Sequence, residues 1–367
     1  ITSYVTPDSR LQLWRGMDER IGAIAPFLRL DPDPYLVVSE GRLYWIQDAY
    51  TVSLFFPYAE PHGWDFNYIR NSVKVVIDAY DGTTDFYVVD PEDPIIAVYR
   101  DALPELFRSL DEMPDGLRRH VRYPQELFAA QVEKYSRYHM TRPQVFYNDE
   151  DLWSVPSERY GGERIVMEPY YILMKLPEEQ QLQFLLMTPL TPSGRDNMIA
   201  WMAARCDFPD YGELVVYKLS KERLIMGPIQ VEATIDQDPL ISQQLSLWDQ
   251  RGSRVIRGNL LVIPIEQSFL YVEPVYLVAE GANIPQLKRV IVSDGDRLAM
   301  EPTLGEAIDV VFGRRAQRAP EGAVVDQGSD QLSEARDALA AAEAALRNAD
   351  WQAFGAAMQR LRDFLGE

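Results

Sequence analysis

The sequence predicts an α+β fold, with mixed, mostly antiparallel sheets, packed helices and a C-terminal α-helical hairpin. Short runs rich in Val, Ile and Tyr are joined by tight polar turns, which is typical of β-hairpins. Helical segments separate these hairpins in mixed order, whereas a parallel sheet requires regular βαβ repeats. The 367 residues, 47% of them hydrophobic, suffice for a large buried core.

Local signals assign elements to the first half of the chain. Apolar residues at helical spacing indicate a first helix, glycine turns indicate hairpins, and proline in a first helical turn marks further helices. In chain order these are a helix over 7–28, a hairpin over 35–53 turning at Glu40-Gly41, a hairpin over 72–90 turning at Asp81-Gly82, and helices from Pro94 to about Leu110 and from Pro124 to about His139.

The second half continues the mixed order of elements. Runs of β-branched and aromatic residues indicate strands, and apolar spacing indicates short helices. The predicted elements are strands at 165–176 and 182–188, a helix near 195–205, a strand at 213–219, a helix near 239–249, and a second sheet from 254–265, 269–280 and 288–300.

Composition divides the chain into a body and a tail. Residues 1–312 form the predicted body, and the pattern near 140–165 allows two subdomains. Residues 313–331 hold almost no large apolar side chain, which predicts a flexible linker. Residues 332–367 carry apolar stripes at helical spacing, which predict a helical hairpin. So small a hairpin needs to dock on its own body, on a second copy or on a partner protein.

Charge and cysteine content exclude several classes of function. Acidic residues outnumber basic ones 56 to 36, and the net charge of −20 opposes nucleic acid as a partner. The single cysteine, Cys206, excludes an intramolecular disulfide, and we interpret it as a buried structural residue. No apolar run reaches the ~20 residues that span a bilayer. Because the first residue is isoleucine, we expect an excised fragment or a mature product of a longer protein.

Motifs with a defined catalytic spacing are missing from the sequence. It contains neither a GxxxxGK nor a GxGxxG phosphate loop, and neither a GxSxG nucleophile elbow nor an HExxH zinc motif. The three histidines are too sparse for a spaced set of metal ligands. We therefore predict no catalytic residue.

The stretch DAYDGTTD offers a candidate metal site. It places Asp78, Asp81 and Asp85 around a tight turn, where carboxylate oxygens could converge on a hard cation such as calcium. The spacing is not that of an EF-hand loop. Hairpin geometry alone also explains Asp81-Gly82, and we favour that interpretation.

The stretch LWDQRGSRVIRGN offers a candidate ligand-binding site. It contains Trp248, Asp249, Arg251, Arg254 and Arg257, and its guanidinium groups could hold a carboxylate or phosphate beside an aromatic ring. On a strand, residues 254 and 257 face opposite sides, so the arginines share one site only if the chain bulges. Internal salt bridges to the excess carboxylates are the alternative that we favour.

Two aromatic clusters could line a groove for a carbohydrate or a peptide. These are LYWIQDAY at 43–50 and FFPYAEPHGWDFNY at 55–68. Tyrosine is also common on half-buried strands, so the same residues could instead fill the core of a sheet.

Several long phrases closely resemble uncharacterised protein family 0182 of bacteria, over about residues 8–312. Among them are YWIQDAYTVS, FNYIRNSVKVVIDAYDGT, RDNMIAWMAARCD and ISQQLSLWDQRGSRVIRGNLLVIPIEQSFLYVEP. The resemblance implies N-terminal membrane spans, absent from this chain, followed by a large soluble domain at the cell surface or in the periplasm. This chain is similar to that soluble domain. The family implies no catalytic residue.

Three functional hypotheses follow. The first is a binding or assembly module at the cell envelope, whose partners are the membrane spans of the same protein and a protein bound through the C-terminal hairpin. The second is an envelope hydrolase or transferase that uses paired carboxylates, for example from DAYDGT and from NDEDLW at 148–153. The third is regulation of a transporter formed by the spans.

Overall fold

The first sheet contains both predicted hairpins. The computed structural model describes residues 6, 9 and 13–313, apart from 64, 178, 221, 223, 250–251, 266–267 and 280–283. The strands are β1 (Arg29–Leu30), β2 (Tyr35–Ser39), β3 (Arg42–Ser53), β4 (Tyr68–Asp78), β5 (Thr84–Val88) and β6 (Phe107–Ser109). They run in the order β1-β3-β4-β5-β6, with β2 also paired to β3. The β5–β6 pair is parallel and the other pairs are antiparallel.

Helices cover both faces of this sheet. They are α1 (Met17–Ile24), α2 (Pro94–Ala102), a 3₁₀ turn (Leu110–Glu112), α3 (Asp115–Arg118), α4 (Gln125–Tyr138) and α5 (Pro143–Tyr147). The α2 helix begins where the sequence predicts, because the Asp93 side chain accepts hydrogen bonds from the first backbone N–H groups. The α1 and α2 helices pack on one face of the sheet and α3 packs on the other.

Two further sheets follow along the chain. The second contains β7 (Trp153–Ser154), β10 (Tyr170–Lys175), β11 (Leu182–Pro192), β12 (Ala200–Arg205) and β13 (Leu214–Lys218), and the hairpin of β8 (Ser157–Tyr160) and β9 (Glu163–Val166) lies beside it in sequence. Helices α6 (Pro228–Gln237) and α7 (Pro239–Trp248) precede the third sheet. That sheet contains β14 (Ser253–Arg257), β15 (Leu261–Ile265), β16 (Ser268–Ala279), β17 (Gln286–Ser293) and β18 (Leu298–Glu301), and α8 (Leu304–Val311) packs on it.

Shared cores join the three sheets. Phe128 of α4 packs between the first and second sheets, in contact with a core that includes Tyr50 and Met202. Trp201 of the second sheet and Tyr271 of the third belong to one core, which α6 and α7 complete. Residues 1–312 accordingly form one compact unit. The mixed, mostly antiparallel α+β prediction is confirmed for this unit.

The predicted helix near 195–205 is wrong, because residues 200–205 form strand β12. Alanine and methionine in the sequence AWMAAR favour a helix. However, β12 pairs with β11 on one side and β13 on the other, and residues 200–204 are buried. Central sheet pairing with burial on both faces overrides local propensity.

Other boundaries differ from the prediction for identifiable reasons. The helix that begins at Pro94 ends at Ala102 instead of near Leu110, because Leu103 precedes a proline and is disfavoured in a helix. The first helix is also shorter than predicted and covers Met17–Ile24. Helices α6 and α8 are not predicted by the apolar pattern at all.

The predicted linker at 313–331 and hairpin at 332–367 lie outside the described residues beyond Gly313. Within the described ranges, no helix is both long enough and apolar enough to cross a membrane.

Candidate functional site

The three aspartates considered for calcium lie at the β4–β5 turn, where protein groups already engage them. Asp78 Oδ2 lies 2.7 Å from Arg42 Nη2, and Asp85 Oδ1 lies 3.0 Å from Arg108 Nη2. Asp78 and Asp81 also accept hydrogen bonds from backbone N–H groups of the turn. No three His, Cys, Asp or Glu side chains in the described part of the chain are arranged to hold a metal ion. Turn geometry and ion pairs account for these carboxylates without an ion.

The predicted Trp/Arg segment does not converge on one site. Trp248 ends α7, and its ring lies 5.4 Å from the Arg289 guanidinium carbon. Asp249 accepts a hydrogen bond from a backbone N–H group of β14. Arg254 is exposed, whereas the Arg257 side chain points inward, as the alternation of a strand requires. Arg251 lies outside the described residues.

Arg257 forms internal salt bridges, the interpretation favoured from sequence. Its guanidinium makes a bidentate contact with the Glu273 carboxylate and donates from Nη1 to Asp236 Oδ1 at 2.5 Å. Glu273 is fully buried. Burial raises the pKa of Glu273, and the Arg257 charge opposes that shift. The predicted Trp/Arg segment therefore contributes one guanidinium group, which pairs with the buried Glu273 and the half-buried Asp236.

Glu232 on α6 is a further buried acid near Arg257, and protein groups compensate the charge of its carboxylate only in part. Its Oε1 accepts a hydrogen bond from the Arg159 backbone N–H group at 2.7 Å, and its Oε2 has no hydrogen-bond partner among the described residues. Burial, with the nearby charges of Glu273 and Glu158 adding to it, raises the pKa of Glu232 to about 7. An uncharged carboxyl group is therefore favoured here up to neutral pH.

A second buried charge pair lies between β3 and β4. Lys74 is fully buried and contacts the Asp48 carboxylate, which also accepts a hydrogen bond from Asn71 at 2.9 Å. The ammonium group donates to the Arg122 carbonyl oxygen at 2.7 Å and lies 5.2 Å from the centre of the Tyr211 ring. Burial lowers the pKa of Lys74 and raises that of Asp48, while their mutual attraction opposes both shifts. These contacts pair both buried charges within the sheet, which indicates a structural role.

The surface feature best suited to bind a partner is an apolar groove of about 430 Å³. Glu60, His62, Phe66 and Asn67 of segment 55–68 form one wall, α4 forms the second, and β12 and β13 of the second sheet form the floor. Its apolar lining comes from Phe66, Ile69, Leu127, Ala130, Tyr135, Met202 and Leu214. We call this feature the aromatic groove.

Segment 55–68 also presents apolar side chains outward. Phe55 is 91% exposed, and Leu54, Phe56 and Tyr58 beside it are exposed as well. Contiguous exposed apolar side chains mark interaction surfaces more often than isolated ones do. The segment thus borders the groove on its inner side and extends apolar surface beyond it.

The Asn67 side chain holds this segment in shape. Its Oδ1 accepts a hydrogen bond from the Phe56 backbone N–H group at 3.0 Å, and its Nδ2 donates to the Phe56 carbonyl oxygen at 2.7 Å. The Phe56 ring stacks on Tyr68, with centroids 5.4 Å apart. A loop ordered before binding loses less conformational entropy when it meets a partner.

The rim of the aromatic groove is polar but internally paired. His62 Nδ1 lies 2.9 Å from Glu133 Oε2, and Lys134 Nζ lies 3.7 Å from Glu60 Oε1. Lys134 also donates to a loop carbonyl oxygen, and the Tyr138 hydroxyl donates to Glu60 at 3.3 Å. These contacts join α4 to the loop across the groove.

Replacing Asn67 by alanine should loosen the exposed segment. Both side-chain bonds to Phe56 disappear, each with a net contribution of about 1 kcal/mol, so we expect at least tenfold faster amide hydrogen exchange at Phe56. Asn67→Asp is the matched control, because it keeps the acceptor and loses the donor, and it should give an intermediate rate. Exchange at Phe56 in Asn67→Ala equal to that of the unaltered chain would contradict this role.

Sequence reasoning found only part of the aromatic groove. Phe66 of the FFPYAEPHGWDFNY cluster lies in one wall, but LYWIQDAY lies on β3, where Tyr50 is fully buried in the core. The residues from α4, β12 and β13 were missed. The spacing of Leu127, Gln131 and Tyr135 on one helical face is a signal, although an apolar stripe alone does not distinguish groove from core.

Comparison with known proteins assigns the chain to a family. The sequence model of the uncharacterised protein family UPF0182 matches residues 1–248. The chain belongs to this family. A UPF0182 protein of Bradyrhizobium diazoefficiens is 52% identical over 100% of the chain and 40% of its own length. A UPF0182 protein of Methanospirillum hungatei is 53% identical over 91% of the chain and 38% of its own length.

Other UPF0182 relatives show the same partial coverage. The relative from Salinibacter ruber is 49% identical over 100% of the chain and 41% of its own length. The chain thus spans about two fifths of the length of the curated relatives that it matches. No solved structure matches the chain.

Proposed function

We propose that this UPF0182 chain is a binding module, which uses the aromatic groove to hold a large apolar side chain of a partner polypeptide. In the full-length protein it is the extracytoplasmic domain of a polytopic membrane protein and acts at the cell envelope. The observation that carries the proposal is the groove itself, an apolar concavity bordered by an ordered loop with exposed aromatic side chains.

The lining of the groove favours a polypeptide partner. A volume of about 430 Å³ accommodates one or two large side chains, and the apolar floor rewards their burial. The Gln131 side chain at the rim carries an amide group, which suits the backbone amide groups of a polypeptide. Because Lys134 and Glu60 of the lining pair with each other, these two charges select neither a strongly acidic nor a strongly basic ligand.

Filling the groove should abolish binding without unfolding the protein. Leu214 is half-buried on β13, and replacing it by tryptophan places an indole in the groove. We expect Leu214→Trp to weaken the binding of short peptides with a central Phe, Trp or Leu by at least about tenfold, since one buried aromatic side chain is worth more than 1.4 kcal/mol. Fluorescence anisotropy of labelled peptides measures this change.

Matched controls separate binding from folding. Leu36→Trp adds the same side chain at an exposed position on β2, away from the groove, and should leave peptide binding unchanged. Peptides with a central serine should not bind. Equal affinity for phenylalanine and serine peptides, or equal loss in both tryptophan variants, would refute the proposal.

Carboxylate catalysis is the second candidate, and it requires an acid with a raised pKa that lies in an open cleft. Glu232 has a raised pKa but is completely buried, whereas Asp149, Glu150 and Asp151 of NDEDLW line an open cavity. An acid–base pair needs both properties in one cleft. We therefore propose binding at the aromatic groove in preference to catalysis or regulation of a transporter.

A further inference from the structure

A second cavity, polar and separate from the aromatic groove, has a volume of about 630 Å³. One wall is the loop between α5 and β7, which supplies Asp149, Glu150 and Asp151. The opposite wall carries Ser193, Asn197 and Ser220, and aliphatic side chains complete the lining. Polar groups that converge on a cavity above an aliphatic surface are typical of a site for a small organic ligand.

A buried histidine lies behind the Asp151 carboxylate. The His139 side chain is only 3% exposed, and its ring stacks on Trp153 with centroids 3.7 Å apart. Its Nε2 lies 3.8 Å from Asp151 Oδ2, too far for a hydrogen bond, and has no partner among the residues that the structure describes. The Asp151 side chain itself is 46% exposed and lines the cavity.

The hydrogen bond at Nδ1, the other ring nitrogen of His139, defines whether Nε2 presents a proton or a lone pair. His139 Nδ1 lies 3.1 Å from the Tyr135 carbonyl oxygen, and a carbonyl oxygen only accepts, so Nδ1 carries the proton. In the neutral imidazole, Nε2 then directs a lone pair toward the Asp151 carboxylate. In this tautomer two acceptors face each other, and a cation held by the Asp151 carboxylate reduces the repulsion between them.

We propose that this cavity binds a primary ammonium group, with the Asp151 carboxylate as its direct partner and His139 as the residue that positions Asp151. An ammonium group offers three donors and a positive charge. Glu150 adds a second carboxylate on the same wall, whereas the Asp149 carboxylate is paired with Arg137 at 3.1 Å. Arg195 is the cation among the described residues that line the cavity.

The ammonium group has two natural sources, a free polyamine or a lysine side chain of a partner protein. Putrescine represents the first source and the tripeptide Gly-Lys-Gly the second, while 1,4-butanediol is the uncharged control. Binding to the full chain is followed through the imidazole resonances of His139. The chain has three histidines, so His62→Gln and His120→Gln variants assign the signals.

We expect both amines to shift the His139 resonances and butanediol to leave them unchanged. Asp151→Asn should weaken amine binding at least about tenfold, since a hydrogen bond to a charged group contributes about 1.5–3 kcal/mol. Asp111→Asn removes an 86%-exposed carboxylate elsewhere on the chain and should have no effect. His139→Phe keeps a ring on Trp153 but lacks the reporter imidazole, so its putrescine binding is measured by titration calorimetry beside Asp151→Asn, and it should weaken binding less than Asp151→Asn does.

Tighter binding of putrescine than of the peptide supports a free polyamine, and the reverse order supports a lysine-bearing partner. The proposal is overturned if the His139 resonances respond equally to butanediol, or if Asp151→Asn and Asp111→Asn bind putrescine with the same affinity. Leu214→Trp in the aromatic groove serves as an independent reference, because it should leave amine binding intact.

Discussion

Replacing Lys74 by methionine should destabilise the chain by about 3–5 kcal/mol at neutral pH, because it leaves the buried Asp48 carboxylate without its counter-charge. Methionine fills much of the same volume, so lost packing contributes little. Asn71 still donates to Asp48, but one neutral donor does not replace an ammonium group. Urea unfolding of the full chain measures the change.

The stability that Lys74→Met loses should depend on pH in a defined direction. Asp48 can escape an unpaired charge by taking up a proton, and burial raises its pKa. The penalty of Lys74→Met should therefore shrink as pH falls toward 5. The double variant Lys74→Met/Asp48→Asn, which removes both charges, should recover part of the stability at pH 8.

Arg70→Met provides a matched control on the same strand. Arg70 is 52% exposed and pairs with Asp90 at 3.0 Å, so its removal should cost less than about 1 kcal/mol. A Lys74→Met variant no less stable than Arg70→Met would mean that the buried pair is not ionised or not needed.

Glu232→Gln should raise the free energy of unfolding by about 3 kcal/mol at pH 8 and leave it unchanged near pH 4.5. The folded-state pKa, about 7, lies above the unfolded value, so the folded chain binds more protons between these values. The Glu232 carboxyl group contributes its full stabilisation below its pKa in the unfolded chain, and this contribution is lost as pH rises through about 7.

The geometry of the site suits this substitution. Glutamine keeps the acceptor for the Arg159 backbone N–H group and has the shape of the protonated acid. The charged and titratable neighbours, Glu158, Glu273, Arg257 and Asp236, remain in both proteins.

Chemical unfolding at several pH values tests the prediction. The stability difference between Glu232→Gln and the unaltered chain should grow from pH 4.5 to pH 8. Glu105→Gln, at an exposed position, should show no such trend. A difference that is constant with pH would show that Glu232 does not titrate in this range.

Local chemistry explains which elements were predictable. Turns at Glu40-Gly41 and Asp81-Gly82 define their hairpins because glycine adopts the positive φ that these turns require. The α2 helix starts at Pro94 because Asp93 caps it. Such elements depend on contacts between residues close in sequence, so the sequence around them contains the needed information.

The candidate sites depend on contacts distant in sequence. The aromatic groove combines residues 60–69, α4 and strands β12 and β13, and β12 itself was predicted as a helix. Glu232 lies on α6, which the apolar pattern missed, and its neighbours Glu158 and Glu273 come from two different sheets. Neither a raised pKa nor a concavity has a signature within a short segment.

The sequence by itself determined the α+β class, the hairpins, the acidic surface and membership of UPF0182, because these follow from local patterns and extended similarity. Tertiary structure decided where the charges and aromatic side chains meet. It turned Arg257 inward to Glu273, opened segment 55–68 into one wall of a groove and placed Asp151 against His139. The physical reason is that burial and charge pairing depend on neighbours that are set by sheet packing, not by proximity along the chain.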